Sequence, residues 1–518
     1  MTRISWFLKR IPAHLTAFVM AVPLLFIFLS MCKISGPQWT RLWHAELPGL
    51  ISNSFLLVLV VTFVSLFLGS ILAWLVEKTD LAGRAWMRPL LAAPLVIPCY
   101  IVAVSYVGFL SMNHWRVFYG FWGAASLLVL GAYPYVYLLV WASLRRLDPA
   151  LSEAARCMGA GPLRRMLKVG LPLLAPSFVA GAVLAAIYVL SDFGVVTLMR
   201  YRTFVSAIYG EISGRYHFEG AAGLSFVLIL FTFAFLSVQD IYAGRRYESQ
   251  GGVRVTARPV SLGVFQIPAF LFVCAVLGVS LVIPVGVLVK WFIDSLTAEG
   301  VARLWSFSLG EVLGAGLKSL LVSSFAATAA VILALPLAYW TVREPRSGWG
   351  RLISSLSQSG LALPGVLIAL GLGLFLAKGA PQLHFSAVSM AAAFLIHFFG
   401  QAYQSVETGL KRVSIPLEES ARLLGLTPLA AFWRVTRPIL RPSLVAGWLL
   451  VFLNSMRELP SALILRPAGF DTLTVKVWTA ASEGFYAQAA APALALVLVS
   501  SPLLWIVFHE GEGRTPAN

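Results

Sequence analysis

The chain has 518 residues, 59% of them hydrophobic and only 12% charged, with a formal net charge of +17 and a mean hydropathy of +0.84. Soluble domains carry about 25% charged residues, so this composition excludes both a soluble globular protein and a disordered chain. The positive excess is placed unevenly, with about 26 Lys/Arg on one side of the expected spans and about 13 on the other, which is the positive-inside pattern of a multi-pass membrane protein and not a nucleic-acid surface.

At about 20 apolar residues per crossing, twelve runs read as transmembrane helices. In chain order they are 14–31, 50–76, 90–110, 123–144, 173–190 and 221–241, then 268–289, 313–340, 353–376, 387–406, 444–453 and 487–508. The first is too long for a removed signal peptide and reads as a retained span. Cys32, Cys99, Cys157 and Cys274 are scattered, forming neither a disulfide framework nor a metal pair. His384 and His397 lack a second ligand at metal spacing and read as packing residues. Gly314-Ala-Gly316 and Gly371-Leu-Gly373 suit close helix approach. No Gly-x4-Gly-Lys-Ser/Thr loop occurs, so the chain does not hydrolyse ATP alone.

The two sets of spans are copies of each other. Residues 144–159, from Leu144 through Glu153-Ala154-Ala155-Arg156 to Gly159, align without a gap to residues 410–425, from Leu410 through Glu419-Ser420-Ala421-Arg422 to Gly425. The offset is 266 residues, the separation of Glu153 and Glu419. The agreement continues through Pro172 and Pro438 to Asp192 and Glu458, and the matched positions are largely the polar ones. The expected fold is an all-α integral membrane protein of about twelve helices, arranged as two homologous parallel six-helix halves. The expected division is 1–243, a basic cytoplasmic linker over 244–261, and 262–518, with both termini cytoplasmic.

The repeated loop carries the chemistry. Ala, Glu, Arg and Leu favour a short helix before Gly159 or Gly425, and glycine suits the helix end. A second short segment follows, with Leu163, Arg164, Arg165 and Met166 in one copy and Phe432, Trp433 and Arg434 in the other. Pro172 and Pro438 are expected to break the chain before it re-enters the bilayer. A helix–Gly–helix elbow with an apolar knob and a basic rim suits docking into a groove on a soluble partner; an ordinary loop resting on lipid is the plainer alternative.

Glu-Ala-Ala, three residues, Gly, nine residues and hydrophobic-x-Leu-Pro resembles the signature loop of ABC-importer permeases of the binding-protein-dependent type. Glu153, Ala154, Ala155, Gly159, Val169, Leu171 and Pro172 fit it at full spacing. The second copy keeps Glu419, Ala421, Gly425 and Pro438 but has Ser420 and Arg437 where the signature has alanine and leucine. The resemblance implies a translocation subunit, not an enzyme, in a bacterial cytoplasmic membrane. It implies as partners two copies of a cytoplasmic ABC ATPase, which use the ATP and Mg, and an extracytoplasmic substrate-binding protein. It implies no cofactor bound by this chain.

The fused layout looks like the ferric-iron permeases, and segments such as Ser191-Asp192-Phe193-Gly194 and Met456-Arg457-Glu458-Leu459-Pro460 carry that likeness. Thiamine, phosphonate or another small solute are the alternative cargoes. Fe3+ favours carboxylate and phenolate oxygens, so Asp192, Glu458, Asp471 and Tyr201 are candidates for the translocation path. Equally, Asp192 and Glu458 lie near span ends and suit interfacial carboxylates that balance Arg200 or Arg457 and fix the outer turn. A secondary transporter would leave the duplicated elbow unexplained, and neither a channel filter nor a catalytic cluster is found.

Overall fold

The computed structural model describes residues 3–114, 116, 118–243, 259–297, 308–344 and 348–512. Among the described residues the regular elements are all helices, joined by turns, with one isolated bridge between Thr79 and Val260. Most of the expected linker, 244–258, lies outside them.

Among the described residues, eight helices are long and apolar enough to cross a membrane: Ile11–Met31, Gly36–Lys78, Phe121–Arg146, Met166–Ser191, Phe218–Ser237, Gly263–Leu296, Leu309–Arg343 and Pro428–Arg457. Two bent pairs bring the number to ten at most, short of the twelve expected. The runs 90–110 and 353–376 are not straight spans. Arg84–Val96 meets Cys99–Met112 at 86°, and Gly348–Ala362 meets Gly365–Gly379 at 113°. Both bends have one cause. A 3-10 turn, Ala93–Val96 or Ser359–Ala362, runs into Pro98 or Pro364. Proline drives the residue before it out of the helical region, and Ile97 (ψ 118°) and Leu363 (ψ 140°) are extended. The bends stand 266 residues apart, the same offset as the loops.

The other two shortfalls have different causes. Ala387–Lys411 is a 25-residue helix, but His397, Gln401, Gln404 and Glu407 interrupt its apolarity. Much of it is buried against protein, which removes the need for an apolar surface all round. At the end of the chain, Tyr486–Ser501 is apolar but short of a full crossing.

The chain packs as two compact units that cut across the sequence halves. One gathers Met1–Leu42, Ala207–Phe226 and Ala298–Asn518, and the other Trp43–Ser206 and Val227–Thr297. Within the first unit the N-terminal span lies against Gly365–Gly379, where a Cβ on Gly371 would stand 2.3 Å from the Pro23 carbonyl oxygen. Close backbone approach of this kind replaces the hydrophobic effect as the packing force in lipid. Gly314 and Gly316, by contrast, face open space, so the expected close approach there is absent. Within the second unit Tyr106 donates to the Val279 carbonyl at 2.7 Å, fastening Gly263–Leu296 to Cys99–Met112.

Candidate functional site

The repeated loops fold alike. Pro149–Cys157 and Ile415–Leu423 are short helices, the first capped by the Asp148 carboxylate accepting from Ala150 N–H at 2.9 Å. Each ends in the same two hydrogen bonds. Gly159 N–H donates to Arg156 (2.9 Å) and Ala160 N–H to Ala155 (3.0 Å), while Gly425 N–H donates to Arg422 (3.0 Å) and Leu426 N–H to Ala421 (3.2 Å). This is the paired C-terminal cap that needs a left-handed residue, and φ is +79° at Gly159 and +90° at Gly425.

The cap turns the chain so that one face seats and the other projects. Ala155 and Ala421 are buried, Glu153 and Glu419 are exposed, and Met158 and Leu424 stand 81% and 85% exposed at the tip of each elbow. Leu423 projects beside Leu424, at 88%. Further along, Met166 and Trp433 are exposed, and Trp433 lies under the Arg437 guanidinium at 4.8 Å from ring centroid. The side chain of Leu163 lies outside the described residues.

Pro172 and Pro438 do not break the chain. Met166–Ser191 and Pro428–Arg457 each run as one helix from elbow to bilayer. Proline removes an N–H and its ring collides with the carbonyl four residues back, here Lys168 and Arg434. The helix absorbs both faults by widening into a π turn, Met166–Gly170 in one copy and Phe432–Thr436 in the other, closed by Leu171 N–H to Met166 and Arg437 N–H to Phe432. The same device precedes Pro48, at Leu42–Glu46, and Pro284, at Gly278–Val282. The elbow therefore continues into its span as an unbroken shaft.

Asp192 and Glu458 stand where these shafts end. Asp192 Oδ1 accepts from the N–H groups of Val195 (2.9 Å) and Val196 (3.2 Å) at the start of the next helical turn. Glu458 Oε1 accepts from Ser461 N–H (3.3 Å), and the Ser461 hydroxyl lies 2.8 Å from it and 3.0 Å from the Gly365 carbonyl, donating to one at a time. Both acids thus cap the turn that follows. Glu458 has a buried neighbour that its sequence context does not announce, His397 Nδ1 at 3.5 Å, an ion-pair distance without hydrogen-bond alignment. His397 also stacks on Phe398. Asp471 is paired with Arg466 and Lys476, and Tyr201 donates to the Asn53 carbonyl at 3.2 Å. Among the described residues no group of three His, Cys, Asp or Glu is placed to hold a metal ion.

The sequence reading missed Glu418, the acid before Glu419. Its Oε1 accepts from Arg343 Nη2 at 2.6 Å and from the Thr436 hydroxyl at 2.8 Å, and its Oε2 from the Tyr339 hydroxyl at 2.9 Å. Arg343 also donates to the Val413 carbonyl at 3.0 Å. Burial by itself would raise the Glu418 carboxyl, but hydrogen bonds from Thr436, Arg343 and Tyr339 and the Arg343 charge hold it below the usual carboxylate range. The signal was a mismatch in the alignment, for position 152 of the first copy is serine.

The family profile described as "Binding-protein-dependent transport system inner membrane component" matches residues 65–246 and again 327–508. The chain is 29% identical over 503 residues to the Fe(3+)-transport system permease protein FbpB 2 of Haemophilus influenzae, covering 95% of this chain and 97% of that protein. It is 23% identical over 543 residues to the ferric transport system permease protein FbpB of Actinobacillus pleuropneumoniae, covering 96% of this chain and 77% of that one. Over 264 residues it is 28% identical to the putative 2-aminoethylphosphonate transport system permease protein PhnV of Salmonella paratyphi A, half of this chain and 94% of that one.

Proposed function

The chain belongs to the family of binding-protein-dependent transport system inner membrane components, and from that premise we propose that it is the fused permease of an ATP-driven importer of ferric iron. The duplicated elbow carries the reading: two exposed apolar tips, Met158 and Leu424, each set by a left-handed glycine and each continuous with a membrane helix. Two cytoplasmic ABC ATPase subunits would take one elbow each and consume the ATP and Mg, so the permease needs no cofactor of its own. An extracytoplasmic binding protein would deliver the cargo. The relative that matches along nearly its whole length is named for Fe(3+) transport, and the cargo is taken from it. A phosphonate cargo is the second reading, favoured by the relative that matches half of the chain.

Eight straight helices and two bent pairs give ten crossings. Ala387–Lys411 and Tyr486–Glu512 bring the proposed number to twelve, six in 1–243 and six in 262–518, joined by a cytoplasmic linker over 244–261. Both termini are then cytoplasmic, in the bacterial inner membrane.

Transport proceeds by alternating access. Closure of the ATPase pair displaces the elbows at Gly159 and Gly425. The unbroken helices Met166–Ser191 and Pro428–Arg457 carry that displacement across the bilayer to the turns fixed by Asp192 and Glu458. ATP binding supplies the differential free energy that shifts the equilibrium between the two states. The test is ATP hydrolysis in liposomes by the chain with its ATPase and binding protein. Stimulation by the Fe3+-loaded binding protein alone is expected. Stimulation only by a phosphonate-loaded one would move the cargo, and absence of any bound ATPase would overturn the importer.

A further inference from the structure

The two elbows are fastened to their spans unequally. In the second, one carboxylate joins three pieces of chain: Glu418 on the coupling helix Ile415–Leu423, Arg343 and Tyr339 at the end of the span Leu309–Arg343, and Thr436 at the root of the shaft. Arg343 and Glu418 are 14% and 12% exposed, so their bond is shielded from water, and such a pair holds its geometry better than a surface pair. The second guanidinium nitrogen of Arg343 reaches the Val413 carbonyl, just before the coupling helix begins. A push on this elbow moves two spans together.

The first elbow has different residues at the aligned positions. Glu418 is replaced by Ser152 and Thr436 by Gly170, which has no side chain to offer. The long span that precedes it ends with an acid, Glu77, and that acid is engaged elsewhere, with Trp141 Nε1 at 2.9 Å and Arg88 at 3.3 Å. Among the described residues of the first coupling helix, Ala155 is the buried one.

We propose that Glu418 and Arg343 are positioning residues for energy coupling, and that the second half of the permease transmits the ATPase stroke more tightly than the first. This rests on the importer reading given above. Neither residue touches cargo or nucleotide. Their contribution is to convert displacement of the elbow into displacement of Leu309–Arg343 as well as Pro428–Arg457. Without them the coupling helix slides on its seat, and part of each ATP cycle is spent without moving the spans.

The test is the amount of cargo moved per ATP hydrolysed, measured in liposomes with the full chain, its ATPase and Fe3+-loaded binding protein. In Glu418→Ala the ATPase is expected to co-purify and hydrolyse ATP within about twofold of the parent, while cargo per ATP falls about tenfold, the size of effect that mutations along a coupling network produce. The charge-exchanged pair Glu418→Arg with Arg343→Glu should recover much of the lost ratio, which a purely structural defect would not. Ser152→Ala, at the position of the first copy aligned with Glu418, should not lower the ratio in this way. If Glu418→Ala fails to assemble, Arg343→Lys, which keeps the charge and loses the fork, is read in its place. An unchanged ratio, or loss of ATPase binding in both variants while each still folds, overturns the proposal. Absence of ATPase from the parent complex would instead overturn the importer reading.

Discussion

Glu458 Oε2 lies 3.5 Å from His397 Nδ1, with both side chains about nine-tenths buried. A Cβ on Gly365 would fall 2.0 Å from Glu458 Oε1. The carboxylate is therefore a brace between the helices that carry Gly365, His397 and Ser461. Removing the buried acceptor leaves the Ser461 N–H without its partner, at a cost of about 1–3 kcal/mol. Glu458→Ala should accordingly lower the thermal midpoint of the purified chain. Glu458→Gln keeps an oxygen for Ser461 and should lower it less. Equal loss in both would mean that charge, and not the acceptor oxygen, holds the brace.

Asp192 offers the complementary experiment. Asparagine also presents an oxygen to the N–H groups of Val195 and Val196, so Asp192→Asn combined with Glu458→Gln should retain both caps while removing both charges. Assembly is expected to persist and uptake to stay within about twofold of the parent, since a neutral acceptor preserves most of a hydrogen bond's net 0.5–1.5 kcal/mol. A large drop in uptake with assembly intact would assign the two acids to the path that the cargo follows.

The elbows invite a different substitution. Among the described residues, chain neighbours apart, no atom lies within 4 Å of a Cβ placed on Gly159 or Gly425, so a side chain there meets chiefly the cost of the left-handed backbone, about 1–2 kcal/mol and least for Asn and Asp. Gly159→Asp with Gly425→Asp therefore places two carboxylates beside the apolar tips Met158 and Leu424 without unfolding the membrane core. Loss of ATPase co-purification at an unchanged thermal midpoint is the expected result. Normal co-purification would show that the tips are not the docking surface.

Much of this was legible in the sequence, because the duplication preserves polar residues in apolar surroundings. The helix ends at Gly159 and Gly425 follow from composition and spacing alone, whereas the burial of Ala155 and Ala421 beside exposed Glu153 and Glu419 is seen only in the fold. The bends at Pro98 and Pro364 were not legible, since a hydropathy run averages through a single proline. Pro172 and Pro438 were read as breaks because sequence does not reveal that a π turn will absorb them. Residues 387–406 were read as an ordinary apolar span, although His397, Gln401 and Gln404 lie within it. The Glu418 anchor lay furthest from view. Its partner Arg343 is separated from it by 75 residues, and only the fold brings them together.

The π turns make their own prediction. Alanine at 172 and 438 restores an N–H and removes the collision that widened the helix. Closing each π turn to an α turn takes up one extra residue, which rotates the elbow by about 100° relative to its span at 3.6 residues per turn. Pro172→Ala with Pro438→Ala should leave the spans folded and turn Met158 and Leu424 away from their docking direction. Transport is expected to fall by at least about tenfold while the thermal midpoint rises or holds, since proline inside a helix costs about 3 kcal/mol. Full transport in the double variant would mean that the wide turn is held by packing around it and not by proline.

The last prediction concerns pH. Glu418 titrates below the ordinary glutamate value of 4.5, so the folded chain binds that proton less readily than the unfolded chain does. For a group depressed in this way, the stabilisation is fully present above the unfolded value and is lost as pH falls through the folded one. The parent should therefore be more stable than Glu418→Gln at neutral pH, and the gap should close only in acid, below the ordinary carboxylate range. Thermal midpoints of the two purified chains across that range provide the measurement. A gap that closes near neutrality would point to a group with a higher pKa and remove Glu418 as the origin. A gap that never closes would mean that glutamine fails for its shape, and that Arg343, Thr436 and Tyr339 together require two acceptor oxygens more than they require the charge.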